Sequence, residues 1–233
     1  MLGGRGSVNG GGLAVVTPVY GNESTLAELA ARLATTLDAA GLAWTLRFVV
    51  DASPDASLSV ASTLARGDKR LRVTSLPANV GQHRALLAGL AAAAPARTWV
   101  CLDADLQDPP EAVPLLLERL AAGDVGAVFA GRRGAYESRG RLATGKLHRA
   151  ALARLTGLPA DAGAFLAMDR TARDALVALD PPSVVAGIGA ARIRAVSVPV
   201  TRQARPSGRS AWTAAARLRQ SSGTLAWAWR SRP

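Results

Sequence analysis

The stretch Thr98–Glu111, with the sequence TWVCLDADLQDPPE, decides which fold this chain adopts. Its apolar first part, Thr98–Leu102, is typical of a buried strand. Asp103 and Asp105 follow where the strand gives way to a loop. Such a pair can hold a divalent cation that clamps a diphosphate, because Mg²⁺ takes one or two protein carboxylates and completes its shell with water and phosphate oxygens. The Pro-Pro-Glu that follows suits the start of a helix. On spacing alone, the alternative is a surface turn with two solvated aspartates.

Strands and helices are predicted to alternate along the chain. Ser24–Ala40 has leucines at helical spacing, with Ser24 as its N-cap. This alternation predicts an α/β fold with a parallel sheet and right-handed crossovers. Ligands of such sheets bind at the carboxyl ends of the strands, so the loops that begin at Pro18, Asp51, Asn79 and Asp103 are expected to line the site. The predicted strands are 13–17, 44–50, 71–75, 98–102 and 125–130, and the predicted helices are 24–40, 56–65, 81–93 and 111–121.

Three further blocks accompany the acidic stretch: Val16–Tyr20 (VTPVY), Asn79–Gly89 (NVGQHRALLAG) and Asp161–Arg170 (DAGAFLAMDR). Together the four blocks resemble the family-2 glycosyltransferases of the GT-A fold. The likeness is greatest to the branch of dolichol- and polyprenyl-phosphate sugar synthases. The blocks occur in the family's order and cover roughly residues 13–212.

The resemblance implies a GT-A fold, which is a Rossmann-like, mostly parallel sheet flanked by helices. It also implies an inverting transfer of sugar from a UDP- or GDP-sugar to a polyprenyl phosphate, with Mg²⁺ or Mn²⁺ held by Asp103 and Asp105. Two alternatives stay open. One is transfer to a soluble small-molecule acceptor, and the other is a degenerate domain that binds sugar nucleotides or nucleic acid without catalysis. Val50, Ala52 and Ala211 depart from the family pattern and motivate the last alternative, whereas the intact acidic pair argues against it.

The resemblance places the donor-binding residues in four turns. Glu23 would accept hydrogen bonds from a ribose, or else act as a carboxylate at a helix N-terminus. Asp51 would contact the base or ribose, or else form an Asx-turn. Gly81 would let the backbone approach a ligand at a helix start that attracts phosphate. The predicted nucleotide-sugar-binding residues are Pro18, Tyr20, Glu23, Asp51, Gly81, Gln82, His83, Asp103, Ala104, Asp105 and Gln107.

The acceptor half centres on Asp161, the predicted catalytic residue. By resemblance it lies beside the reacting centre, either as a base for a hydroxyl acceptor or as the residue that orients the cationic groups around a phosphate acceptor. The alternative is a loop carboxylate that caps the segment after Pro159. Arg205–Trp212 is similar to a diphosphate-binding segment of the family in which Ala211 replaces a lysine. The predicted acceptor- and diphosphate-binding residues are Arg132, Arg133, Arg205 and Ser210.

Length and composition fit one catalytic domain. The 233 residues are 49% hydrophobic and include one cysteine, Cys101, so no disulfide framework is expected and a reducing cytoplasm is the default. We expect a flexible leader at residues 1–12, the GT-A domain at 13–212 and a basic, Trp-containing helix or tail at 213–233. Many family members carry C-terminal membrane helices. We expect none here, because no window approaches the roughly 20 apolar residues of a membrane span.

Positive charge is concentrated in the second half of the chain. Residues 131–233 hold 18 Lys+Arg against 5 Asp+Glu, whereas residues 1–130 hold 10 against 12. The basic half suits a pyrophosphate substrate, an anionic membrane face or nucleic acid, or else it reflects an arginine-rich composition. Only 4% of the residues are aromatic, so few side chains are available on which nucleic-acid bases could stack. This composition does not favour nucleic acid as the partner. We therefore expect a cytoplasmic protein with peripheral contact at the inner face of the membrane.

Overall fold

The computed structural model describes residues 12–133, 154, 156–203, 224 and 227. The strands are β1 Leu13–Val19, β2 Trp44–Asp51, β3 Leu71–Leu76, β4 Thr98–Cys101, β5 Ala127–Arg133, β6 Leu166–Asp169 and β7 Ala195–Thr201. The helices are α1 Leu26–Ala39, α2 Ser57–Gly67, α3 Gln82–Ala92, α4 Val113–Ala121, α5 Arg170–Leu179 and α6 Val184–Ala190, and a 3₁₀ turn at Pro110–Ala112 precedes α4. Residues 1–11 of the expected leader, and the expected tail apart from Thr224 and Trp227, lie outside the described residues.

The strands form one seven-stranded sheet in the order β3-β2-β1-β4-β6-β5-β7. Strands β1, β2, β3 and β4 are parallel to their neighbours, and β5 is parallel to β7. Strand β6 runs antiparallel between β4 and β5. The predicted α/β class with a mostly parallel sheet is therefore confirmed. The antiparallel β6 was not anticipated.

Helices cover both faces of the sheet, as parallel strands require. One face packs against α1, α2 and α4, and the other against α3, α5 and α6. The leucines whose spacing predicted α1 are fully buried on the first face; they are Leu26, Leu29, Leu33 and Leu37. The predicted N-cap of α1, Ser24, is wrong by one residue. Thr25 is the cap; its hydroxyl accepts no capping hydrogen bond and instead donates to the carbonyl of Ala104.

Helix α3 approaches the sheet closely at Gly89. A Cβ atom at this position would lie 2.6 Å from Cγ2 of Val49 and in hard contact with Val16. The absence of a side chain thus sets how near α3 comes to β1 and β2. This distance matters for the site, because the first turn of α3 carries the predicted donor-binding residues Gln82 and His83, and Gly81 directly precedes it.

Replacing Gly89 by valine should lower the free energy of unfolding by about 1–3 kcal/mol, because overpacking forces the helix away from the strands. Urea denaturation measures the loss. Gly67→Val is the matched control, since Gly67 also lies in a helix and a Cβ there has nothing within 4 Å. Equal midpoints for the two variants would show that the contact under Gly89 is not tight.

The carboxyl ends of the parallel strands gather at one edge of the sheet, and β6 brings a further segment to this edge. Cys101, the last residue of β4, pairs with Leu166, the first residue of β6. Residues after Cys101 and residues before Leu166 therefore leave the sheet at the same place. Strand β1 runs to Val19, so Pro18 is buried inside the strand and the loop expected to begin there begins at Tyr20.

Candidate metal and nucleotide-sugar site

The loop Asp103–Asp108, called the metal loop below, leaves the sheet after β4. Ala104 and Leu106 are buried, whereas Asp103 and Asp105 are half-buried, so alternate residues anchor the loop and leave the carboxylates accessible. The hydroxyl of Thr25 donates to the carbonyl of Ala104 at 2.6 Å, and the backbone N–H of Gln107 donates to Asp105 at 3.1 Å. The first contact fixes the loop against the start of α1, and the second stabilises the turn within the loop.

The atoms of this loop that could bind a metal ion are oxygens, which are hard ligands. Burial, with a smaller contribution from Asp103, raises the pKa of the Cys101 thiol far above its usual value, so the thiol stays protonated and is a poor ligand. Within the described residues no three His, Cys, Asp or Glu side chains are grouped to hold a metal. Two carboxylates that leave the remaining positions to water and a diphosphate fit Mg²⁺, and carboxylates also suit Mn²⁺.

Gln82 connects helix α3 to the metal loop. Its side-chain amide donates a hydrogen bond to Oδ1 of Asp103. The same contact brings the N-terminus of α3 close to the acidic pair Asp103 and Asp105. This N-terminus is the positive end of the helix dipole. Gly81 precedes the helix with φ 88°, a conformation that suits glycine and turns the chain into α3.

Asp51 holds the loop in front of α3. The residue is 2% exposed, and its two carboxylate oxygens accept the backbone N–H groups of Val80 at 2.7 Å and Gly81 at 2.8 Å. Asn79 donates to the carbonyl of Asp51. Asp51 thus bonds to residues far along the chain, whereas the predicted alternative, an Asx-turn, would involve only neighbouring residues. A contact of Asp51 with base or ribose stays a prediction.

Replacing Asp51 by alanine should lower the free energy of unfolding by about 1.5–3 kcal/mol, because two hydrogen bonds to a charged, buried acceptor are lost. Urea denaturation tests this expectation. Asp174→Ala, which removes an exposed carboxylate paired with Arg173, should stay within about 0.5 kcal/mol of the native protein. Similar losses in the two variants would contradict the anchoring role of Asp51.

Glu23 and Asp55 join the turns after β1 and β2. The carboxylate of Glu23 accepts the N–H of Ala56 at 2.7 Å, at the start of α2. Asp55 accepts from the backbone of Glu23 and from Ser53. Burial of Asp55 disfavours ionisation, but its hydrogen bonds outweigh burial and lower its pKa to about 2. Glu23 thus lies at a helix N-terminus, that of α2. Its contact with a ribose stays a prediction.

A buried ion pair closes the far end of the metal loop. Nε and Nη2 of Arg202 donate to the two oxygens of Asp108 at 2.7 and 2.9 Å, and the N–H of Gln203 donates to the carbonyl of Gln107 at 2.8 Å. Burial alone would lower the pKa of Arg202, but the charges of Asp108, Asp103 and Asp105 raise it. No role was predicted for Asp108 or Arg202 from the sequence. The only signal for Asp108 was its position in the acidic stretch.

Asp161, the predicted catalytic residue, lies against Gly131 near the end of β5. A Cβ atom at Gly131 would lie 3.0 Å from Cγ of Asp161 and 3.2 Å from Oγ of Ser197. Gly131 therefore leaves the space that the Asp161 carboxylate occupies. Arg132 and Arg133 continue β5, where their backbones pair with β7.

The predicted site residues are thus only partly visible. Arg205 and Ser210 lie outside the described residues, as do the side chains of Arg132 and Arg133. Asp51 accepts the N–H of Gly81, and the neighbouring Gln82 donates to Asp103, so Asp51 and the start of α3 lie beside the metal loop. His83 lies beside Gln82 in the first turn of α3, and Tyr20 is exposed after β1.

The helices of the described part of the chain include none with the length and apolar character needed to cross a bilayer.

Comparison with solved structures identifies the fold. Glucosyl-3-phosphoglycerate synthase from Mycobacterium tuberculosis, solved with Mn²⁺, UDP and phosphoglyceric acid, superposes with a TM-score of 0.69 at 22% identity, over 95% of this chain and 78% of that one. A mannosyltransferase from Pyrobaculum calidifontis, solved with GDP-mannose and Mn²⁺, gives 0.62 at 19% identity, over 96% and 64%. These likenesses confirm the predicted GT-A fold.

Sequence comparison identifies the family. Undecaprenyl-phosphate 4-deoxy-4-formamido-L-arabinose transferases are 32% identical over 148 residues in Salmonella paratyphi B and 37% identical over 149 residues in Pseudomonas paraeruginosa. The matches cover 62% and 63% of this chain, which spans less than half of either relative, 44% and 43%. The family model for glycosyl transferase family 2 matches residues 14–195. The chain therefore belongs to glycosyl transferase family 2.

Proposed function

We propose that this protein is an inverting, metal-dependent glycosyltransferase that moves a sugar from an NDP-sugar to a polyprenyl phosphate. The observation that carries the proposal is the acidic pair Asp103 and Asp105, held half-exposed at the sheet edge by Thr25 and Gln82. The relatives that act on undecaprenyl phosphate, and the structures solved with Mn²⁺ and UDP or GDP-mannose, support the acceptor and donor classes.

The donor diphosphate would bind between the metal loop and the start of α3. Asp103 and Asp105 would hold the divalent cation, which acts as a Lewis acid on the departing diphosphate. Gln82 orients Asp103, and Asp51 holds the loop before α3, so the helix dipole is fixed towards the negative charge that develops on the leaving group.

The acceptor would approach from the side of β5 and Asp161. Its oxygen forms a bond to the anomeric carbon while the bond from that carbon to the diphosphate oxygen breaks, which inverts the configuration. A phosphate acceptor is already ionised near neutral pH and passes on no proton. A hydroxyl acceptor would give its proton to Asp161.

A second candidate is transfer to a soluble, phosphate-bearing acceptor. The observation that favours it is the structural likeness to a synthase solved with phosphoglyceric acid.

For the lipid acceptor, the excess of basic residues in 131–233 would favour contact with an anionic membrane face at the cytoplasmic side.

The test is NDP release from a panel of UDP- and GDP-sugars, measured with undecaprenyl phosphate, with phosphoglyceric acid and with neither. Release that depends on the lipid phosphate, together with a glycosylated lipid product, supports the first candidate. Release that depends only on the soluble acceptor supports the second. Binding of an NDP-sugar without release under any condition would mean a non-catalytic binding domain.

A further inference from the structure

Among the ion pairs of the residues that the structure describes, that between Asp108 and Arg202 is the most deeply buried. Their side chains are 2% and 5% exposed, and the bond is bidentate. Removing two charges from water carries a large desolvation penalty, which their attraction offsets only in good geometry. The pair spans 94 positions of the sequence, so it joins two segments that lie far apart in the chain.

The pair ends the metal loop, and other contacts hold the beginning of that loop. Thr25 and Gln82 hold Ala104 and Asp103, whereas Arg202 holds Asp108 at the other end. A backbone hydrogen bond from Gln203 to Gln107 lies beside the pair. Asp105 lies between the two fixed ends, and its side chain accepts the N–H of Gln107. The position of Asp105 therefore depends on both ends of the loop.

We propose that Arg202 is a positioning residue for the metal loop, which fixes Asp108 and thereby holds Asp105 where, together with Asp103, it can bind a divalent cation. The proposal rests on the metal site of the proposed function. Arg202 itself touches neither metal nor donor in this role, and it acts through Asp108.

Charge and geometry predict opposite effects of losing Arg202. Its positive charge lies near Asp103 and Asp105, so electrostatics alone would make Mn²⁺ bind more tightly once the charge is removed. Loss of positioning would make Mn²⁺ bind more weakly. The sign of the change in Mn²⁺ affinity therefore separates a positioning residue from a mere neighbouring charge.

The experiment is a Mn²⁺ titration followed by electron paramagnetic resonance, with UDP and in parallel with GDP, and without any sugar donor. Arg202→Met should lower Mn²⁺ affinity about 10–100-fold, the usual effect of removing a residue that orients a metal ligand. Arg202→Lys should fall between, because lysine keeps the charge but not the bidentate fork. Arg32→Met is the matched control, since Arg32 makes an equally bidentate but more exposed pair with Glu111 just after the loop.

A second variant keeps the test decisive if Arg202→Met does not fold, because that variant leaves Asp108 buried and alone. The double variant Asp108→Leu with Arg202→Met replaces the pair by apolar side chains and leaves the net charge of the region unchanged. We expect it to melt close to the native protein and to bind Mn²⁺ about 10-fold more weakly.

Native-like Mn²⁺ affinity in the double variant, or tighter binding by a folded Arg202→Met, would overturn the positioning role. Failure of the native protein to bind Mn²⁺ with either nucleotide is a different result, and it would remove the metal site on which the inference rests. Asp105→Ala provides the reference for a lost site.

Discussion

Replacing Asp105 by alanine is expected to lower sugar transfer at least about 10³-fold while the protein stays folded. A metal that stabilises a departing diphosphate supplies several kcal/mol to the transition state, and each 1.36 kcal/mol corresponds to a tenfold rate. Asp105 is half-buried in a loop, and the hydrogen bond to it from the N–H of Gln107 is local, so its removal should cost little stability. The measurement is NDP release at saturating donor and acceptor, alongside thermal unfolding.

Two comparisons make this result specific to the metal. Asp124→Ala removes another loop carboxylate, one that is exposed and paired with Arg119, and it should leave the rate unchanged. EDTA added to the native protein should reproduce the loss seen in Asp105→Ala, and excess Mn²⁺ should reverse it. Full activity of the native protein in EDTA would refute metal-assisted departure of the diphosphate.

Much of the fold was predictable from local patterns. Five strands and four helices were expected at close to their observed positions, because apolar periodicity and glycine stops are local properties of the sequence. Strands β6 and β7 were missed as elements. Leu166–Asp169 is only four residues long and stands in the resemblance block that begins at Asp161, and nothing local in so short a run indicates that it pairs antiparallel between β4 and β5.

The candidate site was predictable where its residues lie together in the sequence. Asp103 and Asp105 are such a case, since the strand before them already places them at the carboxyl end of the sheet. The buried bonds from Asp51 to the loop before α3 and from Arg202 to Asp108 depend on tertiary contacts between distant segments. Each of these residues taken alone resembles an ordinary polar loop residue. Only the packed structure shows which backbone or side chain each one meets.

The role of Asp161 separates the two acceptor classes, and its replacement by asparagine is expected to have the second large effect. With a hydroxyl acceptor, loss of the general base should lower the rate about 10²–10⁴-fold. A phosphate acceptor has its second ionisation near pH 6, so at neutral pH most of it is already deprotonated and needs no general base. With this acceptor the decrease in rate should therefore be smaller. Turnover of Asp161→Asn with each acceptor, measured against pH, distinguishes the two. Asp169→Asn is the control in the same segment, because Asp169 caps α5 through the N–H of Ala172 and asparagine also caps.

Gly131→Ala provides an independent test of the same assignment. The added Cβ would meet the carboxylate of Asp161, with Cγ only 3.0 Å away, and so displace it without changing its charge. If Asp161 acts at the reacting centre, Gly131→Ala should lower kcat in the same direction as Asp161→Asn, because a base or an orienting carboxylate works only from one position. Native turnover at every pH in Asp161→Asn, with the acceptor that the protein uses, would make Asp161 a structural residue. The catalytic assignment would then fail whatever Gly131→Ala shows.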